Sequence, residues 1–549
     1  MIACRNCGSR MVFDIPSQKM KCIHCGGTED VETAEENIHH AETESAYTWD
    51  YDKNDEPEET GLSGEVDNST FETKIYKCSQ CGAELMTQDE SAVSFCQFCG
   101  AQSVLEGEFE RVSKPDHIIP FKLTKQACKD IYKKKMRFAL YAPGEMKKND
   151  HIDEFRGIYM PYFVYDVEQN GPIRLTGKRS YRRGDYIITE HYDLMGDIHG
   201  RYPGITHDAS SNFADNISEC IAPYDMAQKK EFKEGYLHGF YGDISDVDAD
   251  IYRPQATGMA NEYALHEAKK IPEFSRVSIE QTKNDPNLSS RFNTGVREIR
   301  SSMMPVWFLS IKRHGRMSFA TINGQTGRMY ADIPIEPWKF ILGSLITTVP
   351  LFFLLQMLFT IKPQTLVYIC TLLELLVLML YKHQVKSIID KSSAIIYGDP
   401  RYVKKKKISE SGRNAIATAG IVALFLLYST RGKILSLLIG YGNEDLIGKI
   451  IISVIAAAGL IYMFLAQNQM KDAFEINDRF GNIVSVIVFL AATLVVWIAP
   501  VDDMWYYIVC FVSVFAILVS LISLIRSYNV LSSRQPRTFV RKGGDDLGI

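Results

Sequence analysis

The sequence predicts a multidomain chain: two small Cys4 ribbons, a cytosolic α+β domain with two related antiparallel β halves, and an all-α six-span transmembrane bundle. Three observations carry that reading. Cys-x-x-Cys pairs recur with one loop length near the N-terminus, an aromatic, β-rich stretch repeats weakly within 155–335, and Leu, Ile, Val, Ala and Phe dominate 338–528. The expected boundaries are 1–27 and 75–107 for the ribbons, 28–74 for an acidic disordered linker between them, and 108–335 for the α+β domain. A transmembrane hairpin over 336–382, a basic cytosolic loop over 383–413, four more transmembrane helices over 414–527 and a cytosolic tail over 528–549 complete the chain.

Cys4-x-x-Cys7 and Cys22-x-x-Cys25 are separated by fourteen residues, and so are Cys78-x-x-Cys81 and Cys96-x-x-Cys99. Two Cys at this spacing turn both thiolates toward one point, and two such corners complete a tetrahedron around Zn²⁺. Gly8, Gly26, Gly82 and Gly100 each follow a pair, where a positive φ lets backbone amides face the sulfurs. Four thiolates leave no position for water, so the expected metal is structural zinc at two sites. His24 is a weaker candidate ligand, and a disulfide or redox dithiol would have to explain two equal ribbons. Eight of the twelve Cys lie in the ribbons, which suits a reducing compartment; Cys128, Cys220, Cys370 and Cys510 read as small buried residues.

Between the ribbons the chain is acidic and poor in aliphatics, as in Asp55-Glu56-Pro57-Glu58-Glu59, and reads as a tether leaving the first ribbon mobile relative to the second. A basic helix is predicted over 124–138, its lysines forming a solvated face or a contact with anionic lipid. Met160-Pro161-Tyr162-Phe163 resembles Met304-Pro305-Val306-Trp307, and each opens a β-rich stretch. His314-Gly315 and Asn323-Gly324 signal turns, and helical pattern returns over 260–270. Gly196-Asp197-Ile198-His199-Gly200 matches one metal-binding motif of calcineurin-like phosphoesterases, but the downstream Gly-Asp-x-x-Asp-Arg and Gly-Asn-His motifs are absent. It reads as a decoy on a strand ending in a turn. No catalytic constellation is found, and an enzyme is not expected.

Apolar runs at 338–361, 365–381, 415–430, 450–466, 483–499 and 505–525 are the six expected spans. Trp338, Trp505, Tyr506 and Tyr507 lie at span ends, where aromatic rings favour headgroups. Lys404, Lys405, Lys406 and Lys407 mark a membrane-surface loop, and Arg526, Arg534, Arg537, Arg541 and Lys542 mark the tail. The positive-inside rule then puts both termini in the cytosol of a cytoplasmic-membrane protein. Glu374 is the intramembrane polar candidate; with no second acid, His or Arg at its depth, a helix–helix hydrogen bond is favoured over an ion path. The formal net charge of −5 does not argue for nucleic acid.

Tyr76-Lys77-Cys78-Ser79-Gln80-Cys81-Gly82, Phe95-Cys96-Gln97-Phe98-Cys99-Gly100 and Pro115-Asp116-His117-Ile118-Ile119-Pro120-Phe121 resemble the bacterial TFIIB-type zinc-ribbon membrane proteins common in Firmicutes. Ile221-Ala222-Pro223-Tyr224-Asp225 and Tyr236-Leu237-His238-Gly239-Phe240 extend the resemblance, which covers roughly 1–335; the six-span tail is longer than in short members. The resemblance implies a non-enzymatic membrane scaffold or adaptor recruiting stomatin/flotillin-like (SPFH) or envelope-stress proteins. The expected partners are the lipid bilayer, from the apolar runs, and such a cytosolic or membrane protein, from the resemblance; a homo-oligomer is left open and nucleic acid is not expected. Two alternatives stand beside it: nucleic-acid binding by the ribbons, and a transporter-like protein with a regulatory zinc-ribbon domain.

Overall fold

A computed structural model describes residues 2–35, 70–87, 96, 98, 106–211, 215–281, 285, 287–358, 362–395, 449–461 and 479–534. Met1–Lys135 with Lys147–Ala331 forms one compact unit, and Met136–Met146 with Asp332–Gln535 a second.

The first unit opens with a three-stranded ribbon: β1 (Met11–Asp14), β2 (Lys19–Cys22) and β3 (Thr28–Glu29). A twelve-stranded mixed sheet follows. Its chain order begins with β4 (Thr70–Lys77), β5 (Glu84–Met86), β6 (Glu106–Ser113), β7 (His117–Ile118) and helix α1 (Lys125–Phe138). The long strands β8 (Arg156–Arg183) and β9 (Tyr186–Asp208) form a hairpin, followed by α2 (Asp215–Ile221), β10 (Lys230–Glu231), β11 (Tyr241–Asp243), α3 (Arg253–Ala268) and β12 (Ser278–Ile279). It closes with β13 (Thr294–Arg313), β14 (Arg316–Asn323) and β15 (Met329–Ala331).

Burial along β8 reports how the sheet is covered. Ile158, Tyr159 and Met160 are consecutive and all buried, as in a strand covered on both faces. From Tyr165 through Leu175 buried and partly exposed positions largely alternate, as for one covered face. Beyond Lys178, where pairing with β12 ends, the hairpin is two strands wide among the described residues, and Tyr186 and Ile187 stand exposed at its tip. Strand β13 is buried from Ser302 to Ile311 and pairs antiparallel with β8.

The two related β halves expected from the sequence are instead one sheet. Met160 lies directly opposite Met304, with Pro161 across from Met303 and Pro305 across from Tyr159. The repeated Met-Pro motif thus marks two neighbouring strands related by a local two-fold, because an isolated half would leave one edge of each central strand unpaired. Both turn signals hold. His314 and Gly315 take φ of 49° and 75° between β13 and β14, and Asn323 begins the connection to β15, its Oδ1 accepting from the amides of Gln325 and Thr326. Gly324 has a further constraint: a Cβ there would meet the Phe121 ring at 2.6 Å.

Thr28–Glu29 pairs with β2 and Thr70–Lys77 with β6, so the linker expected over 28–74 is ordered at both ends; 36–69 lies outside the described residues. The first ribbon is not mobile relative to the sheet but docked on it. Phe13 packs edge-on against Tyr236 at 5.2 Å, the Phe13 amide donates to the His238 carbonyl, and Gln18 Nε2 donates to the Phe121 carbonyl at 2.8 Å. Phe121 stacks on Phe240 at 4.4 Å and also touches Tyr159 and Trp307. One aromatic cluster therefore joins the ribbon to both central strands.

The second unit is helical: α4 (Pro337–Leu358), α5 (Pro363–Ile395), α6 (Lys449–Ile461), α7 (Arg479–Ile498) and α8 (Met504–Leu531). The expected six-span all-α bundle is not found. Among the described residues three helices are long and apolar enough to cross a membrane, at Pro337–Leu354, Pro363–Tyr381 and Met504–Leu531. Two shorter apolar helices lie among the described residues, Lys449–Ile461 in α6 and Ile483–Ile498 in α7. The second extends about 24 Å at 1.5 Å per residue, against a ~30 Å hydrocarbon core, and the expected span at 450–466 runs past 461 into residues outside the described ones. The expected span at 415–430 lies outside the described residues. Trp338, Trp505 and Tyr507 are exposed, whereas Tyr506 faces inward.

Helices α5 and α8 run in the same direction: Ser520 bonds Glu374 and Ser527 bonds Gln384. The Ile335 amide, just before α4, donates to Asn529 Oδ1 near the end of α8. The start of α4 and the ends of α5 and α8 therefore lie on one side of the bundle.

Truncating Phe121 to Ala empties the centre of the aromatic cluster and is expected to destabilise the first unit by about 3–5 kcal/mol. Thermal unfolding of the detergent-solubilised full chain checks this; an unchanged midpoint contradicts the assigned role of the cluster.

Candidate metal centres

Each described Cys knuckle is built the same way. The Gly8, Gly26 and Gly82 amides donate back to the carbonyls of Cys4, Cys22 and Cys78, and the three glycines take φ of 68°, 72° and 71°. That left-handed conformation closes the turn and frees neighbouring amides to face sulfur. Gly100 and Cys99 lie outside the described residues.

In the first group Cys4, Cys7, Cys22 and Cys25 place their sulfurs within 4.8 Å of one another. Cys4 and Cys25 are 3.6 Å apart, and Cys7 and Cys22 3.4 Å. Thiolates about 2.3 Å from a tetrahedral ion stand about 3.8 Å apart, so the donor set fits an ion with small adjustment. The Cys25 amide points at the Cys22 sulfur at 3.5 Å, and this bond favours the Cys22 thiolate and lowers its pKa. The sulfur is thereby prepared to act as an anionic ligand. His24 is exposed and does not join the group.

Cys78, Cys81 and Cys96 form the second group, with Cys81 and Cys96 3.6 Å apart. The two groups differ in their surroundings. Cys7 and Cys25 are exposed at the surface of the first ribbon. Cys78, Cys81 and Cys96 are 0%, 2% and 0% exposed and share one core with Leu85, Phe98, Tyr162, Met304 and Phe308. Strand β5, just after the first knuckle of this group, pairs with β11, which pairs with β8. The second group is thus continuous with the main sheet. Both groups can hold a metal ion.

The sequence left unread what secures the first ribbon. His238 is buried; its Nδ1 faces the Glu234 carbonyl at 3.2 Å and its Nε2 accepts the Ile2 amide at 3.4 Å. Glu35 Oε1 accepts the Gly235 amide, and a Cβ on Gly235 would meet Val31 at 2.7 Å. The signal was the Tyr236–Phe240 motif, whose aromatic, Gly-containing pattern gives no hint of its partner.

The remaining candidates are placed as follows. Glu374 is fully buried and bonded to Ser485 and Ser520 on α7 and α8, the helix–helix hydrogen bond favoured from sequence. Lys404, Lys405, Lys406 and Lys407 lie outside the described residues. The Gly196–Gly200 stretch is the interior of β9 in register with 169–173, rather than a strand end, and His199 Nδ1 meets Asn170 Oδ1. Cys128, Cys370 and Cys510 are buried, but Cys220 is exposed, because α2 turns it outward.

No family model matches the chain, and no solved structure matches it. It is 26% identical over 345 residues to the uncharacterized protein YdjG of Bacillus subtilis (strain 168), across 61% of this chain and 90% of that protein.

Two outcomes are expected. Cys78→Ser with Cys81→Ser should remove half of the bound metal and depress thermal stability at least twice as much as Cys7→Ser with Cys25→Ser, since only the former opens the sheet core. Metal analysis and melting of both variants check the ranking. Burial holds His238 down at about 4, against about 6.5 when unfolded. As pH falls the unfolded state takes up the proton first, so stability present above about 6.5 is lost progressively toward 4, by up to about 3 kcal/mol. Melting between pH 7 and pH 5 should show this loss, and His238→Gln should flatten it; an equal slope in the variant contradicts the assignment.

Proposed function

We propose that the chain is a membrane-anchored scaffold in which both Cys groups hold structural zinc. The carrying observation is the burial of the second group in the sheet core: a metal held by thiolates within a core that includes Phe98, Tyr162 and Phe308 holds shape rather than meeting substrate. Zinc suits an all-thiolate tetrahedral set, and Cys99 is the fourth ligand of the second site in this reading. On the first ribbon, two of the four cations, Arg5 and Lys19, pair with Glu29 and Asp30 at 3.2 and 3.1 Å, a partial neutralisation that speaks against a phosphate-binding surface.

The apolar helices anchor the protein in the cytoplasmic membrane, with the metal-bearing unit in the cytosol, where thiols stay reduced. Two sequence features support that side: the lysines at 404–407 and the arginines flanking the end of α8. The shared side of the α4 start and the α5 and α8 ends agrees with placing both termini there. The resemblance to TFIIB-type zinc-ribbon membrane proteins supplies the partner class, an SPFH-domain or envelope-stress protein bound through the ribbon surfaces.

Affinity purification of the full chain from its native membrane, beside the Cys78→Ser/Cys81→Ser variant, tests the proposal. Recovery of such a protein with the wild type, and its loss with the variant, is expected. A partner set that is empty, or unchanged by the variant, sinks the scaffold reading.

A further inference from the structure

Glu374 lies inside the second unit, eleven residues into the apolar window Pro363–Tyr381. Its side chain is 0% exposed. Above and below it are two apolar cores, one with Val367, Val496 and Val509 and the other with Leu378, Ala456 and Phe489. Both protein hydrogen bonds go to one oxygen: Ser485 Oγ donates to Oε1 at 2.5 Å and Ser520 Oγ at 3.0 Å. The other oxygen, Oε2, is buried with no hydrogen-bond partner among the described residues. Among those residues no charged side chain of α5, α6, α7 or α8 acts on it; one turn earlier on α5, Cys370 faces Cys510 on α8.

A carboxylate held in such surroundings needs a neutralising partner, because neither water nor a protein cation compensates its charge. The two serines do not supply one. They donate to Oε1 and keep their lone pairs, so Oε2 and the two hydroxyl oxygens form a small set of hard donors fit for a proton or a small monovalent cation. We propose that Glu374, with Ser485 and Ser520, is an intramembrane loading site for a monovalent cation: a proton, or a sodium ion in its place. The site does not depend on the scaffold reading. It adds to the helix–helix bond a function that bond does not require, exchange of the neutralising ion with the surroundings.

The test uses the full chain in phosphatidylcholine vesicles and dicyclohexylcarbodiimide, an apolar reagent that enters hydrocarbon and modifies protonated carboxyl groups. Peptide mass spectrometry should find the adduct on Glu374, with its rate falling as pH rises and the proton leaves. At fixed pH, sodium chloride is compared with equal choline chloride. Protection by sodium identifies the ion that replaces the proton, and a pH response without protection identifies the proton alone. The Ser485→Ala/Ser520→Ala variant should still be labelled but with its pH profile displaced, provided that circular dichroism and gel filtration match the wild type. An unmodified Glu374, a rate indifferent to both pH and sodium, or an identical profile in a folded serine variant overturns the proposal.

Discussion

The pairing of β8 with β13 is the constraint on which the rest of the first unit depends. Around the facing Met160 and Met304 both strands are buried on both faces, so each needs cover above and below as well as neighbours at its edges. Beyond β13 lie β7 and β14; beyond β8 lie β9 and β11, and through β11 comes the strand pair that carries the second Cys group. Phe121, Tyr159, Phe240 and Trp307 close one region beside this pair, and Phe98 against Phe308 closes another. Aromatic packing of this kind combines large buried area with a preferred geometry.

The two thiol groups therefore differ in what surrounds them, although their knuckles are alike. The first sits at the surface of a ribbon whose attachment runs through Phe13, Gln18 and His238. The second is walled by the sheet itself. One motif has thus been used as a docked surface element and as an interior staple, and local backbone geometry gives no sign of which is which.

Much of this was legible from residue spacing, where the physics is local. The Cys pairs, their glycines, the His314-Gly315 and Asn323-Gly324 turns and the helix after Thr124 are each decided within a few residues. The misreadings share the opposite character. Two Met-Pro motifs look the same whether they head separate halves or pair with each other, because pairing at a separation of 144 positions leaves no periodic trace. The apolar run at 483–499 was read as a span from composition, whereas the apolar helix found there, Ile483–Ile498, is shorter than the three long enough to cross. The docking of the first ribbon rests on His238 and Gly235, more than 200 residues away, and on a hydrogen bond that any buried His could make.

The order of synthesis gives the second group a particular history. Its cysteines leave the ribosome by residue 99, but Tyr162, Met304 and Phe308, which enclose them, emerge only later. At translation rates of about 5–20 residues per second, Phe308 follows Cys96 by roughly 10–40 s. For that interval the thiols stand unshielded, open to metal delivery and to oxidation alike. Arrival of β13 then covers Cys78, Cys81 and Cys96, so this group is enclosed only after most of the sheet's chain has been made.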